Sequence, residues 1–135
     1  METTKIHRLR VLVCGDREWK NYKLLKETIL KVNKRNIFGP IECIIEGECR
    51  GADIMAREAA KELGIPFEPY PAEWNKYRRP KGKNPAGVIR NQQMLVEGKP
   101  NLVIGFHNNI ENSRGTKDML ERAKKAGIET RLISE

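Results

Sequence analysis

Apolar residues recur along this chain in two alternating rhythms. Short, nearly continuous runs at residues 9–14, 42–46, 65–70, 101–106 and 129–133 read as strands. Between them the period lengthens to that of a helix. Tyr22, Leu25, Ile29 and Val32 share one face, and so do Met55, Ala56, Ala59, Ala60 and Leu63 in a helix over residues 53–63 that Gly64 stops. A third helix is predicted from the Asn84-Pro85 start to Glu97, closed by Gly98 and Pro100. A fourth covers residues 116–126, with Gly127 as its stop. Pro66 and Pro69 lack the N–H that a central strand needs, which assigns the third strand to an edge. Strand and helix in strict alternation predict right-handed crossovers. The expected fold is therefore α/β: one Rossmann-like domain, a five-stranded, mostly parallel sheet with helices on both faces. With no internal repeat or linker, residues 1–135 are expected to form that domain, residues 1–8 being a flexible tail.

Three of the predicted strand-to-helix turns carry glycine: Cys14-Gly15-Asp16-Arg17, Glu46-Gly47-Glu48-Cys49-Arg50-Gly51-Ala52-Asp53 and Asn112-Ser113-Arg114-Gly115-Thr116. Such turns gather at the carboxyl edge of an open α/β sheet, where backbone N–H groups and helix N-termini favour anions. Arg50 and Arg114 each adjoin a glycine and add a bidentate donor for phosphate or carboxylate. Gly15, Gly47, Gly51 and Gly115 serve either tight turns or close ligand approach, and their shared place after strands favours the second. The chain reads as a binder of something phosphorylated.

The overall balance, 39% hydrophobic and 33% charged, is that of a globular protein without a membrane span, and the polar N-terminus lacks a signal core, so a cytoplasmic protein is expected. A net charge of +8 invites a nucleic-acid reading, but Lys20, Lys23, Lys26, Lys31 and Lys34 fall on a solvated helix face. The cluster from Lys76 to Lys83 differs. It lies in a Pro/Gly-rich loop with Trp74 and Tyr77 and reads as a strand-binding patch, an anion lid or a solvated loop. Cys14 and Cys43, in strands, are expected to be buried thiols, whereas Cys49, beside Arg50, is the candidate reactive one. His107 has no second ligand at metal spacing, so no metal is expected.

The segments Val11-Leu12-Val13-Cys14-Gly15-Asp16-Arg17-Glu18-Trp19, Glu46 to Asp53, Pro71-Ala72-Glu73-Trp74, Ala86-Gly87-Val88-Ile89-Arg90-Asn91-Gln92-Gln93-Met94-Leu95 and Ser113-Arg114-Gly115-Thr116-Lys117-Asp118-Met119 together resemble the small YspA-type members of the SLOG superfamily. That Rossmann-like group includes the Lonely Guy phosphoribohydrolases and the DNA-processing protein DprA. The resemblance implies a pocket for nucleotides or nucleotide-derived ligands such as ADP-ribose or NAD, in a bacterial or phage setting, and helix-mediated pairing of copies. It leaves activity open, because one fold hosts enzymes and sensors. The phosphoribohydrolases carry a glycine pair ahead of their Gly-Thr and a catalytic Glu three positions after it. Here Asn112 and Ser113 replace the pair, and Met119 stands at the Glu position, where a thioether cannot act as a carboxylate.

The leading expectation is a sensing or binding module for a phosphorylated nucleoside, NAD or ADP-ribose-like ligand, needing no other cofactor. Its expected site comprises Gly15, Asp16, Arg17, Gly47, Arg50, Gly51, Asp53, Trp74, Arg90, Asn91, Ser113, Arg114, Gly115 and Thr116. Arg17, Arg50 and Arg114 would neutralise phosphate, Asp53 take a sugar hydroxyl, Trp74 stack a base, Arg90 clamp a phosphate and Asn91 read a base edge. An enzyme cleaving an N-glycosidic bond is the less favoured alternative and requires a carboxylate, with Glu46, Glu48, Asp16 and Asp118 as candidates. Single-stranded nucleic-acid binding through Lys76 to Lys83 is the third reading.

Overall fold

β-Branched and other apolar side chains crowd β1 (Leu9–Gly15), β2 (Ile41–Glu46) and β4 (Leu102–Phe106), which suits strands buried on both faces. In the computed structural model, which describes residues 9–35 and 40–135, these are the three inner strands of a five-stranded sheet ordered β3-β2-β1-β4-β5. Every pairing is parallel. β3 (Phe67–Pro69) and β5 (Glu129–Ile133) form the edges, and the expected tail at residues 1–8 lies outside the described residues. Among the described residues no helix is long and apolar enough to cross a membrane.

Side chains alternate between the two faces of the sheet. Val11, Val13, Ile44 and Ile104 point to one side, onto α1 (Tyr22–Arg35) and α2 (Ala52–Leu63), and meet Leu25, Ile29, Ala56 and Ala60. Leu12, Cys14, Ile45 and Val103 point to the other, onto α3 (Ala86–Gly98) and α4 (Gly115–Lys125), and meet Met94, Met119, Leu120 and Ala123. Each fully buried branched side chain contributes about 1.5–3 kcal/mol relative to exposure.

Three local features depart from the expected pattern. β3 is shorter than residues 65–70, because Pro66 and Pro69 cannot donate and Ile65 turns into the core; the Pro66 carbonyl still accepts from the Ile44 N–H at 2.9 Å. Gly98 is the last residue of α3 rather than its stop. A Cβ there would stand 3.1 Å from Ile45, so glycine serves close packing and Lys99 takes the left-handed position at φ 50°. A short 3-10 turn, Ile110–Asn112, which the sequence pattern did not announce, precedes α4.

Candidate functional site

From β1 the chain crosses toward β2 and β3, and from β3 it returns through α3 to β4 on the other side of β1. The crossovers leave β1 and β4 in opposite directions, which opens a crevice at their carboxyl ends. A cavity of about 570 Å³ lies there, within the size range of small-molecule sites.

The β1–α1 turn forms its centre. The Asp16 N–H donates to the Phe106 carbonyl at 2.8 Å, and the Asp16 carbonyl accepts from Trp19 and Ala52 at 3.1 and 3.2 Å, so one residue's backbone ties β1, β4 and α2 together. Gly15 is required by this closeness, since a Cβ would collide with the Phe106 carbonyl and Ala52. Arg17 lies over the Trp74 ring, 5.4 Å from its centroid, at the mouth of the cavity. Trp74 is 41% exposed and leans on Gly87 of α3.

The β2–α2 loop supplies the floor. Gly47 has no side chain where Arg90 of α3 and Asp53 of α2 both approach; its carbonyl accepts from Arg90 Nη1 at 2.5 Å. Arg90 Nε donates to Asn91 Oδ1 at 3.2 Å, and both Arg90 nitrogens Nη1 and Nη2 lie 3.8–3.9 Å from Cys49 Sγ. Asp53 is only 6% exposed and Arg90 only 8%. Burial pushes the Asp53 carboxyl up to about 7, against the opposing pull of the Arg90 guanidinium and the Cys49 amide. On the rim, exposed Arg50 pairs with Glu18 at 2.5 Å.

The β4–α4 segment closes the opposite wall. His107 Nδ1 accepts from the Asn109 N–H at 2.9 Å, and its Nε2 lies 3.9 Å from Asp16 Oδ2. The Ser113 hydroxyl accepts from the N–H groups of Thr116 and Lys117, at 3.0 and 3.4 Å, in the first turn of α4. Around Gly115 a Cβ would meet nothing within 4 Å, and this residue lines the cavity.

The cavity brings together Gly15, Asp16, Arg17, Arg50, Asp53, Trp74, Arg90, Asn91, Ser113, Arg114, Gly115 and Thr116. Gly47 and Gly51 stand behind it. Gly47 makes room for Arg90 and Asp53, and Gly51, at φ 81°, packs on the backbone of Asp16 and Arg17. Asn91 donates to the Gly115 carbonyl at 3.2 Å and to Asp118 at 3.0 Å, and its Oδ1 accepts from Arg90, so its amide holds α3 to α4 and orients Arg90.

None of the carboxylates Glu46, Glu48 and Asp118 lines the cavity. Glu46, fully buried, is held by Arg57 at 2.6 Å and by the Glu48 N–H at 2.7 Å; Glu48 also pairs with Arg57, at 3.1 Å. Asp118 pairs with Arg122 at 2.8 Å in the groove between α3 and α4. Met119 is sealed in the core beneath α4. The carboxyls that do face the cavity are Asp16, Glu18 and Asp53. Sequence reasoning passed over Glu18, Asn84 and His107 as site residues, and named Lys83 only within the basic cluster from Lys76 to Lys83. The placement of His107 directly after β4, at the same sheet edge as the glycine turns, was the available signal.

All three cysteines are free. Burial pushes the Cys14 thiol far up and the Cys43 thiol up to about 11, so neither supplies thiolate at neutral pH. Cys49 is half-buried on the cavity wall with Arg17 Nη2 3.9 Å from its sulfur. Native protein treated with iodoacetamide at pH 8 is therefore expected to gain about one carbamidomethyl group, mapped by mass spectrometry to Cys49. Modification of Cys14 at a comparable rate would show that the sheet opens far more readily than its burial implies. Among the described residues no group of three or more His, Cys, Asp or Glu side chains is placed to hold a metal ion.

No curated protein sequence matches the chain. Its fold is similar to the X-ray structure of DNA processing protein A (DprA) from Streptococcus pneumoniae, with a TM-score of 0.69 and 18% sequence identity. That likeness covers 94% of this chain and 50% of the DprA chain, so this chain spans about half the length of that protein, and the similarity is one of fold. The sequence profile of the YspA, cpYpsA-related SLOG family (YAcAr) matches residues 9–77, which is half of the chain, and the protein belongs to that family.

Proposed function

We propose that the cavity binds a nucleotide or nucleotide-derived phosphorylated ligand and that the protein is a binding or sensing module. The observation that carries this reading is the composition of the cavity wall. Arg17, Arg50, Lys83, Arg90 and Arg114 line it against Asp16, Glu18 and Asp53, and the α4 N-terminus opens onto it at Gly115. A helix N-terminus with convergent guanidinium groups is a physical fit to phosphate. Trp74 offers an apolar ring for a base, once Arg17 has moved or stacks with it. Asp53, on the floor, meets a sugar hydroxyl.

The test is calorimetric titration with AMP, ADP-ribose and NAD. Arg114→Ala, at an exposed residue whose side chain makes, among the described residues, a single long 3.4 Å hydrogen bond to the Asn84 carbonyl, is expected to raise Kd by about 10- to 100-fold without altering the fold. Arg50→Ala should cost less, because Arg50 must leave Glu18 to engage a ligand. Gly115→Val, placed where the protein itself leaves open space, should lose affinity while the unfolding midpoint moves little. Unchanged affinity in all three variants would remove the phosphate subsite from the cavity.

A second reading, single-stranded nucleic-acid binding, draws on Lys83 and Trp74, which join the basic loop to the cavity. Binding of an oligonucleotide that weakens steeply with salt, and more than AMP binding does, would favour it. An enzyme would have to work through a carboxyl at the cavity. Base release from AMP that vanishes in Asp53→Asn would favour hydrolysis over sensing.

A further inference from the structure

Asp53 sits where an acid is expensive to ionise. It lines the cavity yet is 6% exposed, and among the described residues no Lys, Arg or His nitrogen comes within 4 Å of its carboxyl. Its Oδ2 takes a long hydrogen bond, 3.3 Å from the Cys49 N–H. Oδ1 takes none, and Tyr22 Oη is the one fully enclosed side-chain polar atom without a partner among the described residues, so Oδ1 keeps access to the cavity. The groups facing Asp53 come from every neighbouring element: Arg90 from α3, Glu46 from β2, the Cys14 thiol from β1 and the Gly47 and Cys49 amides from its own loop. Arg90 is committed to the Gly47 carbonyl and Asn91 and so makes no direct ion pair with Asp53, while Glu46, an anion held by Arg57, adds like charge that disfavours its ionisation.

We infer that ligand binding at this site is coupled to protonation of Asp53: an anionic ligand is taken up together with one proton on that carboxyl, and affinity falls as the carboxyl ionises. This inference rests on the proposed binding of a phosphorylated ligand. Asp53 and Gly115 line the same cavity of about 570 Å³, roughly 10 Å across if taken as a sphere, which puts a phosphate at the α4 N-terminus on the order of 10 Å from Asp53. Two negative charges at that separation disfavour one another about tenfold at an effective dielectric of about 20. A neutral carboxyl removes that repulsion and still both accepts from and donates to a hydroxyl. Burial of the empty site already places the ionisation near neutrality, at about 7, so the coupling falls within the physiological range.

The experiment uses ADP-ribose, because each of its phosphates is a diester-like group whose charge is constant over the range examined. Affinity is measured by calorimetry from pH 5.5 to pH 8.5 in buffers of different ionisation enthalpy. The expected result is a roughly tenfold weaker binding at the alkaline end, with net uptake reaching about half a proton between pH 7 and pH 8 and falling to almost none at pH 5.5. Asp53→Asn should bind at pH 8.5 at least as tightly as the native protein and lose the pH slope. His107 and Cys49 also line the cavity, so a slope that persists in Asp53→Asn but vanishes in His107→Gln or Cys49→Ser overturns the assignment to Asp53. Binding without proton uptake in the native protein, which needs no variant, overturns the inference and leaves nucleotide binding standing. Failure of ADP-ribose, AMP and NAD to bind at any pH overturns the nucleotide reading and this inference with it.

Discussion

Gly51→Val is expected to lower the unfolding midpoint by roughly 10 °C or more. Gly51 holds φ 81°, a conformation that a β-branched residue adopts only under strain. Its absent Cβ also faces the backbone of Asp16 and Arg17, where no flexible side chain can give way. The sequence alone suggests that valine here would block a ligand. The structure moves the effect to stability, because Gly51 stands behind the cavity and props up the loop that forms its centre. Thermal unfolding separates the two accounts when Gly115→Val is run beside it. A shift below about 3 °C for Gly51→Val would mean that the two loops part easily.

Arg90→Met is the second large effect. The guanidinium is buried and donates to the Gly47 carbonyl, to Asn91 Oδ1 and, at 3.5 Å, to the Tyr70 carbonyl. Removing it strands these acceptors, and the expected loss at pH 8 is about 3 kcal/mol. It also removes the charge that opposes the upward shift of Asp53, whose carboxyl should then titrate above about 7. The sign of the pH dependence follows from linkage. Asp53 binds its proton more tightly folded than unfolded, so the stability that this proton contributes is complete below the unfolded value near 4 and is lost as pH rises through the folded one. Hence Arg90→Met should be more damaging at pH 8 than at pH 5.5, and adding Asp53→Asn should restore part of the loss at pH 8 and little at pH 5.5. Denaturant unfolding of the two single variants and the double variant at both pH values measures this. Equal losses at the two pH values would remove the coupling.

The strands, the four helices and the edge position of β3 were legible because each is a local signal: a run, a period or a pair of prolines. The glycine turns were legible as a set because sheet topology brings the carboxyl ends of parallel strands together. The states of the carboxylates were not. Glu46 looks like a loop-end carboxylate in sequence, but Arg57 of α2 folds back onto it, a contact made by helix packing rather than spacing. Asp53 looks like an ordinary first-turn helix charge. Its burial depends on Arg90 closing over Gly47 from a helix that begins more than thirty residues later. Asn91 is placed in the site from sequence only through the family resemblance, because its ties to Asp118 and the Gly115 carbonyl come from α4, far along the chain.

The segment that carries Trp74, Lys83 and Asn84 into the cavity wall enters after Tyr70 and ends at Ala86, and no residue from 71 to 85 belongs to either hydrophobic cluster. Its internal ties are local, such as the Asn84 side chain on the Trp74 carbonyl at 2.8 Å. Substitutions within this stretch are expected to cost less stability than substitutions in the turns after β1 and β2, which pack tightly on neighbouring backbone. Substitutions in residues 71–85 should therefore change the preference for a bound ligand with little movement of the unfolding midpoint, which makes this wall the natural place for new specificities to arise.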